Sequence, residues 1–201
     1  MSGRFITFEG IDGSGKSTQL AMAVDALRAL GKPVLQTRNP GGTAFGQALR
    51  DILLHGGHAM PPVSETLLFL ADRAEHWQHV VSPALKEGWW VLCDRYADST
   101  LAYQGYGRGL AVTKIADINA WVTEGHSPDL TLLFDAPPEA LQARLDARGA
   151  ADRMEGLGVD FYNRVRQGFL ALAAAEPARI RVLDALQPVD ALHAQVMGIL
   201  T

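Results

Sequence analysis

The chain has 201 residues, of which 48% are hydrophobic and 20% charged, a size and composition that suit one soluble globular domain, 1–201, rather than two. A net charge of −4 excludes a broad basic surface for nucleic acid or lipid, and no apolar run reaches the roughly eighteen residues of a membrane span. The single cysteine, Cys93, leaves no internal disulfide and, with no targeting segment in view, points to a cytoplasmic location.

The first apolar run, Phe5 to Phe8, reads as a buried strand. It leads into Gly10-Ile11-Asp12-Gly13-Ser14-Gly15-Lys16-Ser17 and then Thr18, and Leu20, Val24 and Leu27 follow at helical spacing. Strand, G-x-x-x-x-G-K-[ST], helix is the phosphate-binding P-loop in its proper setting. Its glycines let several backbone N–H groups converge on one polyphosphate, and the helix that starts near Lys16 aims its positive end at the same anion. Residues Gly10 to Thr18 are therefore expected to hold a nucleoside triphosphate, with Lys16 on the transferred phosphate and the Ser17 hydroxyl on Mg²⁺.

Val34 to Thr37 reads as a second strand and runs into the turn Arg38-Asn39-Pro40-Gly41-Gly42-Thr43. Ligands sit at the carboxyl ends of strands in an open α/β sheet, so Arg38 is a candidate for a substrate anion. Phe45 to Leu54 has helical spacing. From Ser64, as cap, to Lys86 the pattern predicts one long helix with Leu67, Leu68, Leu70 and Ala71 on an apolar face. Phe69 and Arg73 stand four residues apart and share a face; spacing alone favours core packing for Phe69.

Trp89 to Cys93 predicts a third strand that ends in Asp94-Arg95-Tyr96. Asp94 is placed to hold Mg²⁺ or its water, and Arg95 falls on the ligand rim. The helix start from Ala97 to Gly105 turns Ser99, Thr100, Tyr103 and Gln104 towards the same rim. A helix over Ile115 to Val122, a fourth strand over Asp129 to Asp135 and a helix opened by Pro137-Pro138 and carrying Arg144 come next. Arg148 to Arg153 is a short basic loop, expected to be a lid over phosphates spanning about 146–157. A helix over Phe161 to Ala175, a fifth strand over Ile180 to Asp184 and a helix over Val189 to Leu200 complete the pattern. Alternating strands and helices predict an α/β fold, a five-stranded parallel sheet with helices on both faces.

A P-loop leaves GTPases, motor ATPases and small-molecule kinases open, and the absence of an Asn-Lys-x-Asp sequence weighs against a GTPase. Three further blocks narrow the choice: Thr37-Arg38-Asn39-Pro40-Gly41-Gly42-Thr43, Asp94-Arg95-Tyr96 with Ser99-Thr100 and Tyr103-Gln104-Gly105, and Asp152-Arg153 with Phe161-Tyr162-Asn163-Arg164. In this order, over nearly the whole chain, they resemble the bacterial thymidylate kinases, P-loop nucleoside monophosphate kinases. The resemblance implies phosphoryl transfer from ATP to dTMP with Mg²⁺, in a homodimer built by helix packing. It also implies that Arg95 grips the dTMP phosphate, Asp94 organises the metal, Phe69 stacks on thymine and Arg73 meets its carbonyl edge. Thr100 and Gln104 fall near the base, Tyr103 against the deoxyribose, Asp12 near the 3′-hydroxyl and Arg144 near adenine. Family members that lack a basic residue inside the P-loop supply it from the lid, which makes Arg148 and Arg153 the candidates here. Asn39 departs from the glutamate that many members carry before the proline. A kinase for another nucleoside monophosphate or deoxynucleoside is the nearest alternative, and a non-catalytic nucleotide-binding module a more distant one.

Overall fold

The sequence Arg4–Glu9 forms β1 at the centre of a sheet, and five of its six residues are buried, the continuous burial of a parallel strand covered on both faces. The structure, a computed structural model, describes residues 3–56, 59–148 and 157–201, and of 145–148 the backbone alone. The other strands are β2 (Val34–Arg38), β3 (Trp90–Asp94), β4 (Leu130–Asp135) and β5 (Ile180–Asp184). All pair in parallel, in the order β2-β3-β1-β4-β5.

Side chains of β1 divide between two cores. Ile6 and Phe8 pack with Leu20, Val24 and Leu27 of α1 (Lys16–Ala29) and with α8 (Val159–Ala175) and α9 (Val189–Leu200), while Phe5 packs on the opposite face with Trp77, Val81, Val91 and Tyr96. The remaining helices are α2 (Ala44–His55), α3 (Pro62–His76), α4 (Ser82–Lys86), α5 (Ala97–Thr100), α6 (Val112–Val122) and α7 (Pro138–Arg148). Wide π-type turns, Trp77–Val81 and Leu101–Gly107, join α3 to α4 and extend α5. No helix among the described residues is long and apolar enough to cross a membrane.

Chain order places the site. After β3 the chain returns to the other side of β1, so β1 and β3 flank the point where the winding of the sheet reverses. Crevices for ligands open there, beyond the carboxyl ends of the strands. Phe8 pairs with Asp94, and the Arg95 N–H donates to the Phe8 carbonyl at 3.0 Å. The P-loop and the Asp94-Arg95-Tyr96 turn therefore leave the sheet side by side.

The region expected as one helix from Ser64 to Lys86 differs in three ways. It begins at Pro62, whose missing N–H costs nothing in a first turn, so Ser64 is not its cap. The π-type turn interrupts it at Trp77. Its buried face carries Glu65, Thr66, Asp72, Arg73 and His76 beside Leu70, whereas Leu67 and Ala71 are exposed. The polar side chains are tolerated in the interior because each is hydrogen-bonded there.

Candidate active site

The P-loop takes its shape from backbone conformations open to glycine. Gly10 has φ 141 and Gly15 φ 82, and a Cβ on Gly10 would stand 2.5 Å from the Phe134 carbonyl oxygen. Gly10 and Ile11 form the base of the loop, with the Ile11 side chain in the core. Gly13, Ser14, Gly15, Lys16, Ser17 and Thr18 line a groove at the start of α1. Arg144 reaches this groove from α7, donating to the Ala185 carbonyl at 3.1 Å, and Gln187 and Val189 from the segment after β5 line it as well. Lys16 is buried, which lowers its ammonium pKa with help from Arg95, against the opposing charges of Asp12, Asp94 and Glu9. Its nearest carboxylate is Asp12 Oδ1 at 3.6 Å.

Across the switch point, Arg95 adopts φ 65, a left-handed conformation rare for a residue with a side chain. Glu9, fully buried at the end of β1, holds the turn that follows. One oxygen accepts from the Tyr96 N–H at 2.7 Å and the Ser99 N–H at 3.3 Å, and the other accepts from the Ser99 hydroxyl. Burial, then the charge of Asp98, pushes the Glu9 carboxyl up to about 7 against the pull of Arg95. The Arg95 guanidinium donates to Asp12 Oδ1 at 2.8 Å, to Ser99 Oγ at 3.1 Å and to Tyr103 Oη at 3.1 Å. Burial raises the Asp12 carboxyl, but Arg95 and Lys16 outweigh it and hold the group well below the usual carboxylate range.

A second cleft opens beside Asp12 and Arg95. Phe69, Arg73, Ser99, Thr100, Tyr103 and Gln104 line it, together with Asn39, Pro40, Arg50 and Leu54. Phe69 is only half-buried and borders this cleft, so the core reading favoured by its spacing does not hold. Arg73 is 1% exposed, and its guanidinium donates to Asn119 Oδ1, to Asn39 Oδ1 at 2.8 Å and to the Tyr96 carbonyl at 2.9 Å. Its Nε is buried without a hydrogen-bond partner among the described residues. The Asn39 amide in turn donates to Asp72, so a neutral side chain before Pro40 serves as a relay between carboxylate and guanidinium.

Ser17 and Asp94 meet directly, the hydroxyl donating to Asp94 Oδ2 at 2.6 Å. Asp94 Oδ1 is buried and has no hydrogen-bond partner among the described residues. An all-oxygen pair with an unspent carboxylate oxygen, next to a phosphate loop, suits Mg²⁺, which takes one or two protein ligands and completes its shell with phosphate and water. Arg38 lies on this side, exposed, donating to Gln47 Oε1 at 2.6 Å beside Ser17 and Asp94 rather than lining the second cleft. Arg153 and the side chain of Arg148 lie outside the described residues, as does most of the expected lid.

Sequence reasoning missed Arg50 and Leu54 in the cleft, Glu9 beneath the Arg95 turn, and Gln187 and Val189 in the phosphate groove. Glu9 and the segment after β5 carried a usable signal, since one ends a strand and the other follows a strand's carboxyl end. Arg50 carried none; its place follows from how α2 packs.

A phosphate loop and a second cleft at the β1–β3 switch point define a P-loop nucleoside monophosphate kinase fold. The family model described as thymidylate kinase matches residues 8–196, and the chain belongs to that family. It is 46% identical over 200 residues to the thymidylate kinase of Thiobacillus denitrificans, covering 100% of this chain and 97% of that protein. It is 48% identical to the enzyme of Alcanivorax borkumensis, covering 99% and 96% of the two chains. The crystal structure of thymidylate kinase from Ehrlichia chaffeensis superposes with a TM-score of 0.83 at 35% identity, covering 100% of this chain and 99% of that one.

Proposed function

We propose that this chain phosphorylates dTMP to dTDP with Mg-ATP, a step in supplying dTTP for DNA synthesis. The observation that carries the reading is that Asp12 of the P-loop and the Arg95 fork meet on one cleft, which Phe69 and Arg73 also line. Two anions can be gripped there, one by the loop and one by a guanidinium, with a planar base lodged beyond the second.

The chemistry asks little covalent help from the protein. An acceptor phosphate whose second pKa is about 6 is already mostly dianionic at neutral pH, so no strong general base is needed. What remains is to place two phosphates in line and neutralise developing charge. The loop amides from Gly13 to Thr18 and Lys16 take the donor phosphates, with Arg144 beside the adenine. Arg95 takes the acceptor phosphate, Phe69 and Arg73 take the base, Thr100 and Gln104 stand near it, and Tyr103 and Asp12 bracket the sugar. Ser17 and Asp94 would hold Mg²⁺, which supplies Lewis-acid neutralisation of phosphate charge. Arg148 and Arg153 complete the set from the lid.

The assembly we propose is a cytoplasmic homodimer. Phe45, Ala48 and Ile52 on α2 and Val63, Leu67 and Ala71 on α3 are all exposed, and each trio repeats at helical spacing on helices that pack side by side.

Production of ADP from Mg-ATP across dTMP, dUMP, dCMP, dGMP and thymidine tests the reading. Strong preference for dTMP supports it. Preference for thymidine or a purine nucleotide would keep the P-loop kinase and overturn the acceptor site.

A further inference from the structure

Glu65 is a carboxylate with 0% exposure, on the helix that carries Phe69 and Arg73, and the mechanism above gives it no task. Such a group stays buried only when paired and hydrogen-bonded. Two of its partners follow α5 in the chain, and one of them, Gln104, lines the cleft: Arg108 donates through Nε to Oε1 at 3.2 Å and through Nη2 to Oε2 at 3.0 Å, and the Gln104 side-chain NH₂ donates to Oε1 at 2.9 Å. The Arg108 guanidinium also lies over the Phe161 ring at 5.4 Å, which holds the fork in place.

An amide is ambiguous by shape, because its oxygen and nitrogen can exchange places. Here the ambiguity is removed chemically. A carboxylate clamped by an arginine fork only accepts, so the Gln104 NH₂ must face Glu65 and the carbonyl oxygen is left for the cleft that Gln104 lines. Arg73, a pure donor, lines the same cleft. We infer that Glu65, braced by Arg108, is a specificity-positioning residue that fixes the Gln104 amide as an acceptor, so that the cleft offers a donor and an acceptor to the edge of the base.

This inference rests on the proposed function. A pyrimidine with a carbonyl at C4 and a hydrogen on N3 satisfies both groups. One with an amino group at C4 and a bare N3 meets donor with donor and acceptor with acceptor. Sites that demand a hydrogen bond reject the mismatched analogue far more strongly than apolar pockets reject a change of size.

The test compares kcat/KM for dTMP with that for 5-methyl-dCMP, which keeps the ring, methyl, sugar and phosphate and inverts only this edge. It uses the full chain, Glu65→Gln, Gln104→Leu and the double variant. A glutamine at 65 can either give or receive, so Gln104 is no longer held one way round. The preference for dTMP should fall about tenfold in Glu65→Gln, the worth of one neutral hydrogen bond, through the KM for the acceptor with the KM for ATP unmoved. It should fall similarly in Gln104→Leu and no further in the double variant. An unchanged preference in folded Glu65→Gln, or an equal fall on adding Glu65→Gln to either background, overturns the inference. If Glu65→Gln does not fold, Gln104→Leu decides, since a full preference there has the same consequence. Failure of the unsubstituted chain to phosphorylate dTMP would instead strike the proposed function itself.

Discussion

The Nη2 of Arg95 lies 2.8 Å from Oδ1 of Asp12, so the residue after β3 and the acidic residue of the P-loop form an ion pair across the switch point. Each fixes the other at the border between phosphate groove and base cleft. The fork also reaches Ser99 and Tyr103, and a lysine cannot reproduce three directed contacts from one planar group. Arg95→Lys should lower kcat/KM for dTMP by about 10²–10³, the scale seen when one transition-state charge contact is removed, and leave the KM for ATP nearly unchanged. Steady-state kinetics with each substrate varied in turn checks this; an equal loss for ATP would mean that Arg95 only supports the P-loop.

Phe69 borders the cleft and is half-buried, so truncating it should remove a contact with the base rather than a piece of the core. Phe69→Ala is expected to weaken dTMP binding by roughly 1–3 kcal/mol, the worth of an aromatic ring stacked on a base, with little loss of stability. Calorimetric titration with dTMP alongside urea unfolding separates the two. A large fall in stability with unchanged affinity would return Phe69 to the core.

The P-loop has no basic residue between Gly10 and Gly15, and the function proposed above gives the charge that develops on the transferred phosphoryl to the lid arginines. Arg148→Ala or Arg153→Ala should lower kcat by up to about 10³–10⁵ while the affinity for ATP changes little. Near-normal turnover in both single variants and in the double variant would remove the lid from the mechanism.

His76 supplies a stability test. Its ring is fully buried, and its Nε2 shares a hydrogen bond with the Thr37 hydroxyl at 2.7 Å. Burial, then the charge of Arg73, lowers its pKa from 6.5 to about 4. The unfolded chain therefore takes up a proton below pH 6.5 that the folded chain refuses until about 4. Stability present above pH 6.5 is lost as the pH falls through this window, by on the order of 2–3 kcal/mol. Unfolding free energies at pH 7, 5.5 and 4.5 should show this acid loss in the unsubstituted chain and a shallower one in His76→Gln. Parallel curves for the two would assign the loss to other groups.

The long helix around Phe69 shows where reading the sequence ran short. Its leucines marked an apolar face without saying what that face meets; Leu67 lies outside and Glu65, Asp72, Arg73 and His76 lie inside. Helical periodicity reports that one face is apolar; it cannot tell a face turned to the core from one left exposed, nor foresee that buried polar groups will find partners. Those partners are distant in the chain: Asn119 for Arg73, Arg108 for Glu65, Thr37 for His76.

By itself the sequence determined the strand-and-helix alternation, the P-loop, the placing of Asp94 and Arg95 after a strand, and through them a phosphoryl-transfer enzyme with a five-stranded parallel sheet. Those features are local, since hydrophobic period, glycine spacing and the chemistry of consecutive residues act within a few turns of chain. The tertiary structure alone decided that Asp12 pairs with Arg95, that Glu9 holds the turn after β3, that Arg50 and Leu54 line the cleft, and that Gln104 donates to the buried Glu65. These depend on which strands become neighbours and how helices pack across them, and on the rule that a buried charge must find its partner wherever the fold brings one near.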